Sequence, residues 1–456
     1  MAFYSLLKAF AAFLSLQIVS GSQNETLEVT YSSACEVCVC GPGPNLQPKE
    51  LVKCHQIKNL IKIVSLPDFV KGVEIIDAQN GVIFSRGAIR VRDKFNVFLD
   101  KVKNVEFQEK STTIIDSQGK VQFKLNAIHH MKLRSRAVSS ASGSFELEVA
   151  NCGIVDIEGQ AFDVITQVQM ENLDILNLAP AAFKPNVQLF MQQPFTQFAL
   201  TNIKSIPILS MEVFSSAHSI KFKLCHIDEI ESTAFSGVSV YNVTFDSTTI
   251  DKIHTSAFHD RAVLQNLAFV NCSLKSVSEK AIKSGISSLK IVDTEFFGIG
   301  NRAFDTAVAN VDISHCIFKT LSEKAFYFSS WNQVKFDANI FKFLDQNAFS
   351  GISEPNNPST FYFTANQIHR TNRNGLKLAF NKSAKNITKN NIFYKDCECD
   401  LDKWLMIVSG ETDLKNPSEW SILLLNSSLC QVPNFAKGCF EDQDHVLLRS
   451  KPKIFT

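Results

Sequence analysis

The sequence of 456 residues predicts an α/β-type repeat solenoid, in which short coils of chain stack on one another. A buried-looking Ala, followed by an aromatic or aliphatic residue, recurs at intervals of about 23 residues. Each unit also contains an apolar-x-apolar step, whose period of two is typical of a short strand with one buried face. The 38 Phe residues are unusually many, and the repeat explains part of this excess.

Two segments, "VTFDSTTIDKIHTSAF" (243–258) and "VDISHCIFKTLSEKAF" (311–326), illustrate the repeat. After the apolar-x-apolar step comes a Cys, Thr or Asn that should turn inward and hydrogen-bond backbone left unpaired at a bend. The stacked steps predict a parallel sheet with strands at 147–149, 220–222, 243–245, 267–269, 289–291, 311–313, 334–336 and 361–363. The Phe residues at the other end of each unit should stack into a spine, each contributing about 2–3 kcal/mol: Phe162, Phe183, Phe214, Phe235, Phe258, Phe304, Phe326 and Phe349.

The N-terminus, "MAFYSLLKAFAAFLSLQIVSGS", predicts a cleaved signal peptide over residues 1–21. The apolar stretch is too short to span a bilayer comfortably, and no later stretch approaches 18 apolar residues, so we expect a secreted chain without a transmembrane segment. Secretion would allow N-glycosylation at six sequons: Asn24, Asn242, Asn271, Asn381, Asn386 and Asn426. A formal net charge of +1 gives no electrostatic case for nucleic acid.

The repeat resembles the leucine-rich repeat of extracellular proteins, with the consensus L-x-x-L-x-L-x-x-N/C/T-x-L. The resemblance covers roughly residues 70–393 and is clearest after 145. Phe, Val and Ile often replace Leu, Cys or Thr often replaces Asn, and the units before Phe123 fit poorly. The resemblance implies a horseshoe with short parallel strands on its concave face and irregular or 3-10 turns on its convex face.

Eight cysteines flank the repeats and resemble the cysteine-rich caps of such proteins. "CECDLDKWL" (397–405) is similar to the C-x-C-x-L-x-x-W-L start of the C-terminal cap, and "CEVCVCGPGPNLQPKELVKC" (35–54) to the N-terminal cap. Sequence alone allows three pairings per cap, and zinc is the alternative for the C-x-C pair. The resemblance implies the disulfides Cys35–Cys40, Cys38–Cys54, Cys397–Cys430 and Cys399–Cys439.

The predicted organisation follows from these features. It comprises the signal peptide at 1–21, an N-terminal region with its cap at 22–69, the solenoid at 70–393, the C-terminal cap at 394–440 and a polar tail at 441–456.

The four remaining cysteines, Cys152, Cys225, Cys272 and Cys316, all occupy the inward repeat position. Thr248 and Thr294 separate the last three, so each of these three lies two coils, about 9.6 Å, from the next, and Cys152 lies further still from any of them. A disulfide tolerates a Cα separation of at most about 6.8 Å. We therefore expect four buried, reduced thiols that act as small apolar fillers.

No motif in the chain predicts catalysis, a cofactor or a bound metal: a nucleophile elbow, an H-E-x-x-H, a P-loop and a calcium loop are all missing from the sequence. The outward-facing strand residues are therefore the remaining candidates for a functional site. They form a polar face with charges of both signs, which suggests a recognition surface. The candidates on it are Lys221, Lys223, Asp246, Lys290, Asp312, Lys335 and Tyr362. An insertion at 184–198 is a further candidate for binding, because insertions in solenoids become loops.

Two functions fit this pattern. The first is a secreted protein that binds an extracellular protein or a glycan without catalysis, in an adhesion, matrix, guidance or immune role. The alternative is a right-handed parallel β-helix enzyme acting on polysaccharides. Against the enzyme, Asp246 and Asp312 lie three coils apart, roughly 14 Å, which is too far for paired carboxylate chemistry. The partner and the oligomeric state stay open.

Overall fold

A computed structural model describes residues 26–30, 39–40, 50–66, 69–140, 143–183, 195–207, 219–236, 239–353, 359–379, 384–394, 401–411, 417–431 and 447–448. The predicted signal peptide, most of the insertion and most of the polar tail lie outside these residues. So do Cys35, Cys38, Cys397, Cys399, Cys439, Asn24 and Asn381, as well as the side chains of Cys40 and Cys430.

The chain forms a parallel β-solenoid, and its first wall is the sheet that the apolar-x-apolar steps predict. Alternate side chains of each strand are buried, as in Ser359–Thr364, where Phe361 and Phe363 are 0% and 1% exposed. All eight predicted strands lie within the observed ones. The first wall consists, in order, of Leu51–Ile57, Gly72–Ala78, Lys94–Val102, Lys120–Asn126, Ser144–Ile157, Gln167–Leu178, Phe195–Ala199, Ser219–Lys223, Ser239–Asp246, Val263–Val270, Gly285–Val292, Phe304–Ser314, Gln333–Asp337, Ser359–Thr364 and Ala384–Lys389, with Val39–Cys40 antiparallel to the first.

A second wall of short parallel strands follows the first around a corner, on a side where the resemblance implied irregular or 3-10 turns. Its buried residues are often three apart, as Ile250 and Ile253 are, so simple alternation does not reveal it. It consists of Thr26–Thr30, Leu60–Ser65, Val82–Phe84, Asn104–Phe107, His130–Leu133, the ends of Ser144–Ile157 and Gln167–Leu178, Asn202–Ile206, His226–Ile230, Thr249–Ile253, Ser273–Val277, Glu295–Phe296, Ile317–Phe318, Ile340–Phe341, Gln367–Ile368, Asn391–Tyr394 and Ser428–Gln431, with Leu447–Leu448 antiparallel to the last.

A discontinuous third wall closes each coil. Its strands are Ile89–Val91, Thr112–Ile114 and Val138–Ser140, and Phe326–Ser330 pairs with the start of Phe304–Ser314. Isolated bridges such as Phe258 to Ile282 continue it between these strands. The repeats are therefore β on all three sides, and the described helices, α1 (Leu401–Ser409) and α2 (Glu419–Ser427), follow the last coil.

Stacked Phe rings fill the core that the three walls enclose. The predicted spine is present in part. Ring centroids are 5.9 Å apart for Phe162 and Phe183, 4.4 Å for Phe235 and Phe258, and 5.2 Å for Phe304 and Phe326. It is not continuous, because Ile282 lies between Phe258 and Phe304. Two further columns lie behind the other walls. The first wall buries Phe198, Phe222, Phe245 and Phe269, and the second wall buries Phe296, Phe318 and Phe341, with neighbouring centroids about 5 Å apart in each column. These columns account for much of the Phe excess. Phe214 lies outside the described residues.

The corner between the first and second walls is held by the inward Cys, Thr or Asn. The residue just before it adopts a left-handed backbone, with φ of 53° at Asn271 and 51° at Asp293, a conformation that side chains other than Gly adopt at a cost. The inward side chain then bridges backbone groups. Thr294 Oγ1 donates to the carbonyl oxygens of Val292 (2.9 Å) and Phe269 (3.3 Å), and it accepts from Cys272 N (3.3 Å).

Asparagines take over this corner position toward the C-terminal end. Asn366 is fully buried; its Nδ2 donates to Phe336 O (3.0 Å), and its Oδ1 accepts from the backbone N of Asn339 (3.0 Å). The same arrangement repeats one coil on, where Asn366 N donates to Asn391 Oδ1 (3.0 Å). An amide can donate and accept at once, so the ladder satisfies buried backbone groups on successive coils.

The C-terminal helices cover the last coils of the core. Trp404, in the quoted C-x-C-x-L-x-x-W-L segment, packs edge-on against Phe393 with centroids 5.4 Å apart, and Leu405 is 1% exposed. Trp420 of α2 contacts Phe361 and Phe363, and its indole N–H donates to Leu376 O (2.9 Å). This is the location that a cap must occupy, because an uncovered end coil would expose its core.

The corner ladder predicts a large cost for Asn366→Ala. The change leaves Phe336 O and Asn339 N without their buried partners, so we expect a loss of about 2–4 kcal/mol in the free energy of unfolding. Urea unfolding followed by circular dichroism measures it. Asn310→Ala is the matched control, because Asn310 is exposed on the first wall. Equal midpoints for the two variants would contradict the role of the ladder.

The thiols of Cys152, Cys225, Cys272 and Cys316 are free and buried, as predicted. Burial raises the pKa of Cys225 and Cys272 to about 11 and that of Cys316 to about 12. Thiolate is the reactive form, so at pH 8 iodoacetamide should leave all four unlabelled in the folded chain and label all four after unfolding without reductant. Mass spectrometry of the peptides reads this out. A disulfide between Cys225 and Cys272 would contradict the observed register.

Candidate recognition surface

The outward side chains of the first wall form one continuous row, one residue per coil. The strand register aligns Lys221, Thr244, Ala268, Lys290, Asp312, Lys335 and Tyr362 as successive neighbours. Lys223 and Asp246 are neighbours in the adjacent row. The structure therefore brings all seven candidate residues onto one face.

Ion pairs neutralise most charges on this face. Lys221 Nζ lies 3.1 Å from Asp246, and Lys335 Nζ lies 3.2 Å from Asp337 and 3.7 Å from Asp312. Burial alone would raise the pKa of Asp337, but hydrogen bonds from Thr364 and Lys335 outweigh it and leave this pKa below its usual value.

Two cations on the same face have no such partner. Lys223 and Lys290 are exposed and contact no carboxylate within the described ranges. They are the charges on this face that a partner could engage without first breaking an ion pair.

Sequence reasoning missed an uncharged polar row beside the charged one. The row lies two residues before the charged row in each coil and contains Asn242, Asn266, Ser288, Asn310, Gln333 and Thr360. Asn266 Nδ2 donates to Asn242 Oδ1 across neighbouring strands (2.6 Å). The signal was a recurring amide or hydroxyl just before the apolar-x-apolar step. Together the two rows offer amides, hydroxyls and lysines to a ligand.

The described sequons differ in their setting. Asn271 is exposed at a corner, beside a polar groove of about 310 Å³ that Thr248, Cys272 and Thr294 help to line. Asn242 lies within the uncharged row of the first wall, and Asn426 is exposed near the end of α2. Asn386 is aligned with the buried Phe361, and its Oδ1 is buried without a hydrogen-bond partner. A glycan would therefore fit at Asn271 more readily than at Asn386.

One cluster on the second wall has donor types that suit a metal ion. One donor atom from each of His226, Asp228 and Asp251 lies within 4.8 Å of the others. However, Lys275 Nζ lies 2.7 Å from Asp251, and His226 Nε2 lies 3.1 Å from Asp228. Each carboxylate thus already contacts a nitrogen-bearing side chain, which is typical of a surface charge cluster. No metal site is assigned to it.

Comparison with known families agrees with the fold. The family model for the BspA type leucine-rich repeat region matches in 6 copies, over residues 185–308 and 228–356. With the observed solenoid, the match supports a leucine-rich-repeat protein. No curated protein matches the chain. Over the described residues, no helix is both long and apolar enough to span a bilayer.

Cap chemistry is described at one position. Cys54 is buried in the first wall and is disulfide-bonded. The four pairings that the resemblance implies stay predictions.

Proposed function

We propose that this chain is a secreted, glycosylated recognition protein that binds an extracellular protein or glycan through the outer face of its first wall, without catalysis. The observation that supports this best is the row from Lys221 to Tyr362. Each of its residues lies on a strand hydrogen-bonded to both neighbours, so the row is rigid, and a partner would meet side chains that are already in place.

The chemistry of this face suits binding better than turnover. Asp246 and Asp312 lie on strands three steps apart, since Asp246 pairs with Val270, Val270 with Val292, and Val292 with Ser314 of the Asp312 strand. Lys335 also engages Asp312. The three-walled solenoid does favour the polysaccharide-acting β-helix as the second candidate, but such an enzyme needs groups that converge on one bond.

Extracellular partners can be identified with the secreted chain as bait in conditioned medium, followed by mass spectrometry. To test the alternative that the chain is a polysaccharide-cleaving enzyme, it can be incubated with polysaccharides under the same conditions and the size of the products measured. Chain cleavage that the wild type performs would contradict the proposal, whereas a saturable partner without cleavage would support it.

Substitutions on the first wall should then weaken binding of the captured partner. We expect Tyr362→Ala combined with Lys290→Glu to raise the dissociation constant at least tenfold, because it removes the aromatic anchor and reverses an unpaired charge. Lys290 is a better choice than Lys335, because Lys335 holds Asp312 and Asp337 in place.

Lys280→Glu is the control for this pair, since Lys280 lies at a corner of the coil away from the first wall and already contacts Glu279 (3.3 Å). It should leave binding and the secreted yield unchanged. Equal weakening by the control would show that the first wall is not the binding face.

A further inference from the structure

The second wall carries an outward row of its own toward the C-terminal end. Phe296, Phe318, Phe341, Ile368 and Phe393 are register partners on successive strands, and each points into the core. The residue after each of them points outward. These residues are Phe297, Lys319, Lys342, His369 and Tyr394, which we term the basic-aromatic row. It spans four strand steps, about 19 Å.

Contacts along the row hold its members in line. The Tyr394 and His369 rings are stacked with centroids 4.2 Å apart, and Lys342 Nζ lies 3.2 Å from His369 Nε2. Lys319 Nζ lies 5.8 Å from the Phe297 ring centroid and 2.8 Å from Glu295. Phe297, which directly follows the strand Glu295–Phe296, is 46% exposed. The row thus places two lysines between the exposed Phe297 ring at one end and the stacked His369 and Tyr394 rings at the other.

Only part of the positive charge on this part of the wall is neutralised, since Lys319 is paired with Glu295 and two other cations are not. Lys342, and Arg370 next to His369, contact no carboxylate among the residues that the structure describes. The N-terminal part of the same wall differs: Arg134 bonds both Glu106 (2.8 Å) and Glu158 (2.9 Å), and His130 bonds Asp156 (2.7 Å). Cations are thus paired within the wall at one end, and two of them are available to a ligand at the other.

The form of the surface limits what can bind there. Backbone groups of the wall are paired with both neighbouring strands, so a peptide cannot add to it as a further strand. A ligand must therefore be recognised by side chains alone, by a line of cations and ring surfaces that repeats every ~4.8 Å. A linear polymer with acidic groups along its length matches that line, and the apolar faces of sugar rings match the accessible ring surface.

We propose that the basic-aromatic row, with Arg370, binds an anionic polysaccharide that lies across the strands of the second wall. This surface is distinct from the first-wall face, so the two proposals can fail separately. An anionic membrane is less well matched, because the apolar side chains of the row lie flat in a sheet rather than on one side of an amphipathic helix.

Heparin is a suitable probe, and the full-length secreted chain is the protein to test. We expect saturable binding to heparin that weakens steeply with added salt, and little binding to desulfated heparin. Lys342→Gln combined with Arg370→Gln should weaken heparin binding on the order of tenfold or more, because these cations have no competing carboxylate. Phe297→Ala should weaken it further without changing the slope against salt.

The control removes the same number of unpaired, accessible cations from the other face. Lys223→Gln combined with Lys290→Gln should leave heparin affinity within about twofold of the wild type. Equal losses in the two double variants would show that net charge alone drives binding and would overturn the proposal. Equal or tighter binding to anionic vesicles or to polyglutamate, with the same dependence on Lys342 and Arg370, would overturn the choice of a polysaccharide. Absence of heparin binding would overturn it as well.

The pH dependence of heparin binding tests the role of His369, because a purely structural role for this residue would not change it. Burial and the charge of Lys342 hold the pKa of His369 below its usual value. The groups facing it are Lys342 on one side and Tyr394 on the other, with Arg370 adjacent. A bound anion favours protonated His369, so heparin affinity should rise as pH falls toward 5, and His369→Gln should flatten that rise. A pH profile unchanged by His369→Gln would place the anion elsewhere.

Discussion

The structure depends on the hydrogen bonds that the inward Cys, Thr or Asn makes at the first corner of each coil. In a narrow solenoid the chain must turn at a corner where its backbone is buried. Peptide groups left without hydrogen bonds at this corner would destabilise the fold by more than the local packing stabilises it. Thr294 and Asn366 satisfy the buried peptide groups in the same way. Each side chain donates a hydrogen bond to a backbone carbonyl, and each accepts one from the backbone N–H of the inward residue on the preceding coil. With the corner satisfied, a left-handed residue just before it becomes tolerable.

A fixed corner also fixes register, and register determines both surfaces. On the N-terminal side of the corner, outward residues align along the first wall; on the other side, they align along the second. Lys221 and Lys319 are far apart in sequence and belong to different walls, yet the same stacking of coils sets their rows. The stacked Phe columns behind each wall reinforce this register, because a shift of one residue would exchange buried rings for outward side chains.

The first wall could be predicted from sequence because its apolar residues alternate with a period of two. The burial of the inward cysteines could be predicted because they occupy one fixed position in the repeat. The second wall could not, since on many of its strands the buried apolar residues are spaced by three rather than two. The corners were equally hidden where Leu224 and Ala338 adopt φ of 54° and 53°, since neither residue type signals a left-handed backbone. The basic-aromatic row was missed because Phe297, Lys342 and Tyr394 share no chemical type and become neighbours only when coils stack.

The two walls differ in how they treat charge, and this difference has a physical basis. On the first wall, neighbouring strands carry opposite charges, as Asp312 and Lys335 do, so cross-strand attraction supports the stacking itself. On the C-terminal part of the second wall, Lys319 is paired with Glu295 (2.8 Å), but Lys342 on the next coil contacts His369 and no carboxylate among the described residues. Neutral His369 accepts a hydrogen bond from Lys342 but brings no negative charge. The sheet therefore leaves the charge of Lys342 uncompensated, and a bound anion would supply the missing negative charge.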